Sequence, residues 1–215
     1  MKVIVTICLA LFILSCKHNE GEKPLSTLDK AKLYAATLDD SCTAKYVSGS
    51  GTKKGILFTT KTSSISQYWL NVVTDYCYTV VRNCVIKDSV NQFDSVHFHY
   101  IIPGLDTIRR DFSIAKDSVK LFKTIEDKTN FFFVSISKWE KAYFSKDETS
   151  GKINVTCSIR QDYDDNKMFV RNCARFLKFC VLSDSAKFFA NMGFYYSRRG
   201  QNISYPLNDT LFKNP

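Results

Sequence analysis

No apolar run in this 215-residue chain is long enough to cross a bilayer: the longest, Val3 to Leu14, has twelve residues, where a spanning helix needs about 20. Glycine is sparse, with 8 residues, and none is arranged as a phosphate-cradling loop or a dinucleotide fingerprint. Histidine is sparser still. His18, His97 and His99 are the full set, and no Ser-His-Asp or Cys-His arrangement has a sequence signature. Acidic residues are outnumbered 21 to 30 by lysine and arginine, which leaves a net charge of +9. That balance suits nucleic acid, an anionic membrane surface or an acidic protein. The basic residues are scattered, however, with Arg109-Arg110 and Arg198-Arg199 the only tight arginine pairs, and zinc-finger spacing is missing. With 45% apolar and 14% aromatic residues the chain has ample material for a core.

The amino terminus carries the sharpest signal. Lys2, the apolar run and Ser15 lead directly into Cys16, the order of a secretion signal. Ile13-Leu14-Ser15-Cys16 resembles the lipobox of bacterial lipoproteins. The resemblance implies a signal peptide over 1–15, cleavage before Cys16, and lipid on the new terminal cysteine. It also implies an envelope address. Lys17 follows Cys16, where the inner-membrane retention signal of enteric lipoproteins is an aspartate, so the resemblance points to the outer membrane, periplasmic or surface face. Several acyl chains at one residue anchor far more firmly than one. Residues 16–23 are short and polar, as a tether between lipid and folded domain would be. Export makes nucleic acid the least expected partner.

Beyond the tether, the chain matches itself. Cys84 to Tyr100 aligns with Cys180 to Tyr196 at an offset of 96, with seven identical positions. The same offset pairs Cys77 with Cys173 and Gly104 with Gly200, while upstream an offset of 97 pairs Tyr46 with Tyr143, Ser48 with Ser145, Ile56 with Ile153 and Thr59 with Thr156. Secondary-structure signals repeat in the same order. β-Branched and aromatic residues mark strands at 43–48 and 55–61, then at 141–145 and 152–160. Three- and four-residue spacing marks helices through Trp69, Tyr76, Val80 and Cys84, and through Phe169, Cys173, Phe176 and Cys180. Strands are expected at 96–102 and 194–197, with others at 107–115, 130–137 and 202–205. Leading helices are expected at 26–39 and 116–128. The expected fold is α+β: two pseudo-symmetric repeats of roughly α-β-β-α-β-β, 24–119 and 120–215, with antiparallel sheets covered by helices on one face.

Six cysteines fall in the repeats: Cys42, Cys77, Cys84, Cys157, Cys173 and Cys180. An even set in an oxidising compartment predicts disulfides. Seven residues along a helix rise about 10.5 Å, too far for Cys77 to close on Cys84 or Cys173 on Cys180. Antiparallel packing of the two equivalent helices would pair Cys77 with Cys180 and Cys84 with Cys173, leaving Cys42 for Cys157; this is one of fifteen connectivities.

His97 and His99 alternate in a strand, so they share a face and supply two ligands of a metal site, for which a nearby carboxylate would have to be the third. Solvent-facing strand histidines are the preferred reading, and no cofactor is expected. Asp162, Asp164 and Asn166 begin like a calcium loop, but Lys167 stands where its glycine belongs and Cys173 where its glutamate belongs; helix capping is the better explanation. The expected function is a non-enzymatic, lipid-anchored binding module with a protein partner, acidic proteins included. An inhibitor or immunity-type protein against a secreted toxin or enzyme fits that description. The alternatives are a structural or assembly lipoprotein of the envelope and, in third place, a hydrolase using carboxylates or a His97/His99 metal site.

Overall fold

The computed structural model describes residues 24–114, 121–137, 142–159, 167–196 and 200–207. The leader, Cys16, its tether, Arg198-Arg199 and the Asp162 to Asn166 run lie outside the described residues. The first half begins with helix α1 (Thr27–Leu38), whose start is fixed by the Ser26 hydroxyl accepting from the Asp29 amide at 3.2 Å. Ala31, Tyr34 and Ala35 form its buried stripe. Strands β1 (Thr43–Ser48), β2 (Lys54–Lys61), β3 (Phe93–Ile101) and β4 (Ile108–Ser113) make one sheet in that order. Helix α2, over 69–85, connects β2 to β3.

The second half repeats the order. Helix α3 (Ile125–Ser137), strands β5 (Ala142–Lys146) and β6 (Ile153–Ile159), helix α4 over 167–182, and strands β7 (Phe189–Tyr196) and β8 (Gln201–Pro206) follow, again with the sheet in chain order. Finer details recur as well. Both second helices end in a π turn, Val81–Val85 and Leu177–Leu182, followed by a 3₁₀ turn, Lys87–Gln92 and Ser183–Phe188. The π turns widen the buried stripe, so that Cys84, Val85 and Ile86 in one half and Cys180, Val181 and Leu182 in the other are all buried in succession.

The sheets are mixed, which corrects the expectation of antiparallel sheets. The outer pairs of each sheet are antiparallel, but β2 with β3 and β6 with β7 run parallel. Parallel neighbours need a crossover, and α2 and α4 provide it. Both parallel pairs begin with the same register shift, after Lys54 in one sheet and after Ile153 in the other.

The 97-residue offset for the first strands is also corrected. Ala44 pairs with Phe58 and Ala142 with Cys157, so β1 maps onto β5 at an offset of 98. A one-residue change flips every side chain. Tyr46 therefore corresponds to Phe144 rather than Tyr143. Tyr46 packs inward on Phe93 with ring centroids 5.8 Å apart, and Phe144 on Phe189 at 6.4 Å. The 96-residue offset holds through the second helix, where the paired π and 3₁₀ turns fall.

The strand expected over 130–137 is the C-terminal part of α3. Thr129, Phe132, Phe133 and Ile136 are all buried, at the three- and four-residue spacing of a helix wedged between layers; a continuous apolar run suits a buried helix as well as a buried strand. Of the leading helix expected over 116–128, residues 116–120 lie outside the described residues, 121–124 are not helical, and α3 begins at Ile125.

The halves join by exchange: α1 packs on α4, and α3 packs on α2. Buried residues of both halves form one continuous core. That arrangement overturns the proposed disulfides. All six cysteines are buried as thiols, and no Sγ–Sγ bond joins any pair of them. The bridges Cys77–Cys180 and Cys84–Cys173 required α2 and α4 to lie antiparallel along their lengths, but each packs on the first helix of the opposite half, and the two meet at their C-terminal π turns. Cys42 immediately precedes β1 of the first sheet and Cys157 lies within β6 of the second, and their expected bridge is not formed either. The thiols serve as small apolar groups. Burial pushes Cys42 up to about 11 and Cys77 and Cys84 up to about 12, and it raises Cys173 and Cys180 as well.

Candidate functional site

Alternation along the strands gives each sheet an inner face on the helices and an outer face toward solvent. The outer faces differ sharply between the halves. On the first sheet, the register aligns Leu57, His97 and Asp111 in one row and Thr59, His99 and Arg109 in the next. His97 Nδ1 lies 2.7 Å from Asp111 Oδ1, and His99 Nε2 lies 3.9 Å from the same oxygen. One ligand atom from each of the three residues falls within 4.8 Å of the others. The structure thus brings the two expected histidines together with a carboxylate.

The orientation of His97 is set from behind. Ser95 Oγ donates to Asp94 Oδ1 at 2.8 Å and lies 3.0 Å from His97 Nε2, so that the ring is held between Ser95 on one side and Asp111 on the other. Asp94 is itself fixed by the Ser50 amide and hydroxyl, and these hydrogen bonds, with that from Ser95, hold its carboxyl down to about 2. Gly55 makes room for the assembly. A Cβ there would lie 2.7 Å from Ser95 Oγ and 3.1 Å from His97 Nε2. Partial burial holds His99 below the ordinary histidine value, and Arg109 adds to this against the opposing pull of Asp111.

On the second sheet the equivalent positions hold Gly193, Tyr195 and Ser204. The outer face around them is built from Tyr143, Thr156, Ser158 and Asn202, with Asn191 donating to Asn154 Oδ1 at 3.2 Å. No charged side chain occupies this face among the described residues. Tyr143 and Tyr195 are 61% and 41% exposed, large aromatic surfaces left in water.

A third feature is a cavity of about 410 Å³ at the end of the first sheet, lined by Leu38, Thr60, Trp69, Cys77, Tyr100 and Ile136 among others. Its ionisable lining groups are Asp39, Cys77 and Tyr100. Cys77 is a poor nucleophile with its thiol at about 12, and the Tyr100 hydroxyl is raised by burial and paired with Thr74 Oγ1 at 2.7 Å. The six cysteines are spread through the core rather than gathered at a site.

Asp111 is the residue that sequence reading missed, although a signal for it exists. His97 and Asp111 are equally far from Gly104, the positive-φ glycine of the β3–β4 turn, and an antiparallel hairpin centred there pairs them. Comparison with known proteins adds no family: no protein family, no curated protein and no solved structure matches the chain.

Proposed function

We propose that this chain is a bacterial lipoprotein, tethered through Cys16 to the outer membrane, that acts as a non-enzymatic binding module for a protein partner. The observation that carries the binding role is the outer face of the second sheet. Among the described residues, tyrosine, serine, threonine, asparagine and glycine supply the paired strand positions of that face without a charge, in a chain whose net charge is +9. This is the composition of protein-binding paratopes, where rigid tyrosines give contact area at low entropic cost and small polar residues adapt their hydrogen bonds. Gly193 is buried between the Thr156 and Asn202 side chains, and a Cβ there would sit 3.2 Å from Thr156 Oγ1 and 3.3 Å from Asn202 Oδ1. The positive charge elsewhere steers the approach of an acidic partner, while the neutral face supplies the contact. A module of this kind fits an inhibitor or immunity-type protein directed at a secreted toxin or enzyme.

The test is photo-crosslinking from position 195 in envelope-intact cells. One discrete protein adduct is expected, and the double variant Tyr143→Lys/Tyr195→Lys should weaken binding of the purified partner at least a hundredfold while the chain remains folded. An unaltered affinity in that variant would contradict the assignment.

A further inference from the structure

We propose that the outer face of the first sheet binds one zinc ion through His97 Nδ1, His99 Nε2 and a carboxylate oxygen of Asp111. This goes beyond the binding role assigned to the second sheet and uses none of its residues. Two imidazoles and one carboxylate are a donor set that zinc accepts with a fourth, solvent position. In tetrahedral zinc sites, donor atoms stand about 3.3 Å apart, from metal–ligand bonds of about 2.0–2.1 Å. The observed 2.7 Å and 3.9 Å separations bracket that value. Small rotations of His99 and Asp111, whose carboxylate is more than half exposed, equalise them.

Three further observations separate this cluster from histidines that merely face solvent. His97 has its second nitrogen engaged by Ser95, which in turn donates to Asp94; a ligand imidazole held by an outer hydrogen bond is the usual support of a zinc site. Gly55 keeps the space that Ser95 and His97 occupy, at a position where its backbone has no need of glycine's conformational freedom. Finally, the repeat supplies an internal contrast. At the equivalent positions Gly193, Tyr195 and Ser204 offer no comparable donor set, so one ion per chain is expected. Arg109 and Lys45 act on His99 as positive neighbours and oppose cation binding, but neither belongs to the donor set.

The experiment is equilibrium dialysis of the purified protein, produced without a polyhistidine tag and stripped with chelator, against zinc chloride. One equivalent should bind. His97→Ala, His99→Ala and Asp111→Asn should each weaken binding at least tenfold, as should Ser95→Ala through loss of orientation, while His18→Ala changes nothing. Cobalt(II) substituted for zinc should give the visible bands of a tetrahedral nitrogen and oxygen site without a thiolate charge-transfer band. Because the three ligands lie on the outer surface of two neighbouring strands, the variants should keep the wild-type circular dichroism and melting temperature. Failure to bind zinc, or full binding by the His97→Ala/His99→Ala double variant, would overturn the proposal.

Discussion

The phenol of Tyr34, in the first half, donates to Ser135 Oγ of the second half at 2.9 Å, with both residues fully buried. Its ring packs on Phe58 of its own half and on Phe132 and Phe176 of the other, with centroids 6.0, 6.4 and 5.0 Å apart. A residue shared in this way couples the stability of the two sheets. Removing the hydroxyl alone, in Tyr34→Phe, leaves Ser135 its bond to the Phe132 carbonyl and should cost about 1 kcal/mol. Tyr34→Ala should cost about 3–5 kcal/mol, as for other large buried aromatics. Urea titrations followed by tryptophan fluorescence and by circular dichroism should coincide in both wild type and Tyr34→Phe; separate transitions would mean that the halves unfold independently.

The buried thiols set a second expectation. With Cys42 at about 11 and Cys77 and Cys84 at about 12, little thiolate is present at neutral pH, and thiolate is the reactive form. A thiol reagent should react slowly with the six core cysteines of the folded protein and with all six after denaturation. Non-reducing peptide mapping should recover no bridge among them.

Asp94 gives a pH dependence of definite sign. Its carboxyl titrates at about 2 in the folded protein, below the unfolded value of about 3.9. The charged form is therefore the one the fold favours: its contribution is fully present above the unfolded value and fades as pH falls through about 2. The stability difference between wild type and Asp94→Asn should be constant above about pH 5 and shrink between about pH 4 and 2, measured by thermal unfolding. The effect is small because the carboxylate is exposed.

Gly49 tests the same contact sterically. A Cβ at this position would lie 2.6 Å from Asp94 Oδ1, so Gly49→Ala must displace a carboxylate that accepts from both Ser50 groups and from Ser95. A loss of about 1–2 kcal/mol is expected in chemical denaturation. Gly51→Ala, whose Cβ meets nothing, acts instead through its positive φ.

The repeat was legible wherever its two copies keep their spacing, as in Cys84 to Tyr100 against Cys180 to Tyr196. It was misread in β1, where Tyr46 and Tyr143 are both tyrosines but face opposite sides of their sheets, because a one-residue slip inverts a strand. Phe131 to Ile136 carries the composition of a strand, and only burial between α2 and the second sheet selects a helix for it. Parallel pairing of β2 with β3 was hidden because strand content is local, whereas direction is set by a crossover of some thirty residues. His97 and His99 were visible as a pair through alternation. Asp111 joins them through hairpin register, and Gly55 and Ser95 through contacts across three strands. The contacts of Asp111 and of Gly55 with β3 are not contained in a single segment.

The lipid tether is the foundation of the functional account, and radiolabelled palmitate tests it directly. Cells producing the full chain should incorporate the label into this protein, which should fractionate with the outer membrane, and mass spectrometry should find an acylated cysteine corresponding to Cys16 at the mature terminus. Cys16→Ala should abolish both labelling and processing. An unlabelled protein, or one whose labelling survives Cys16→Ala, would contradict the account.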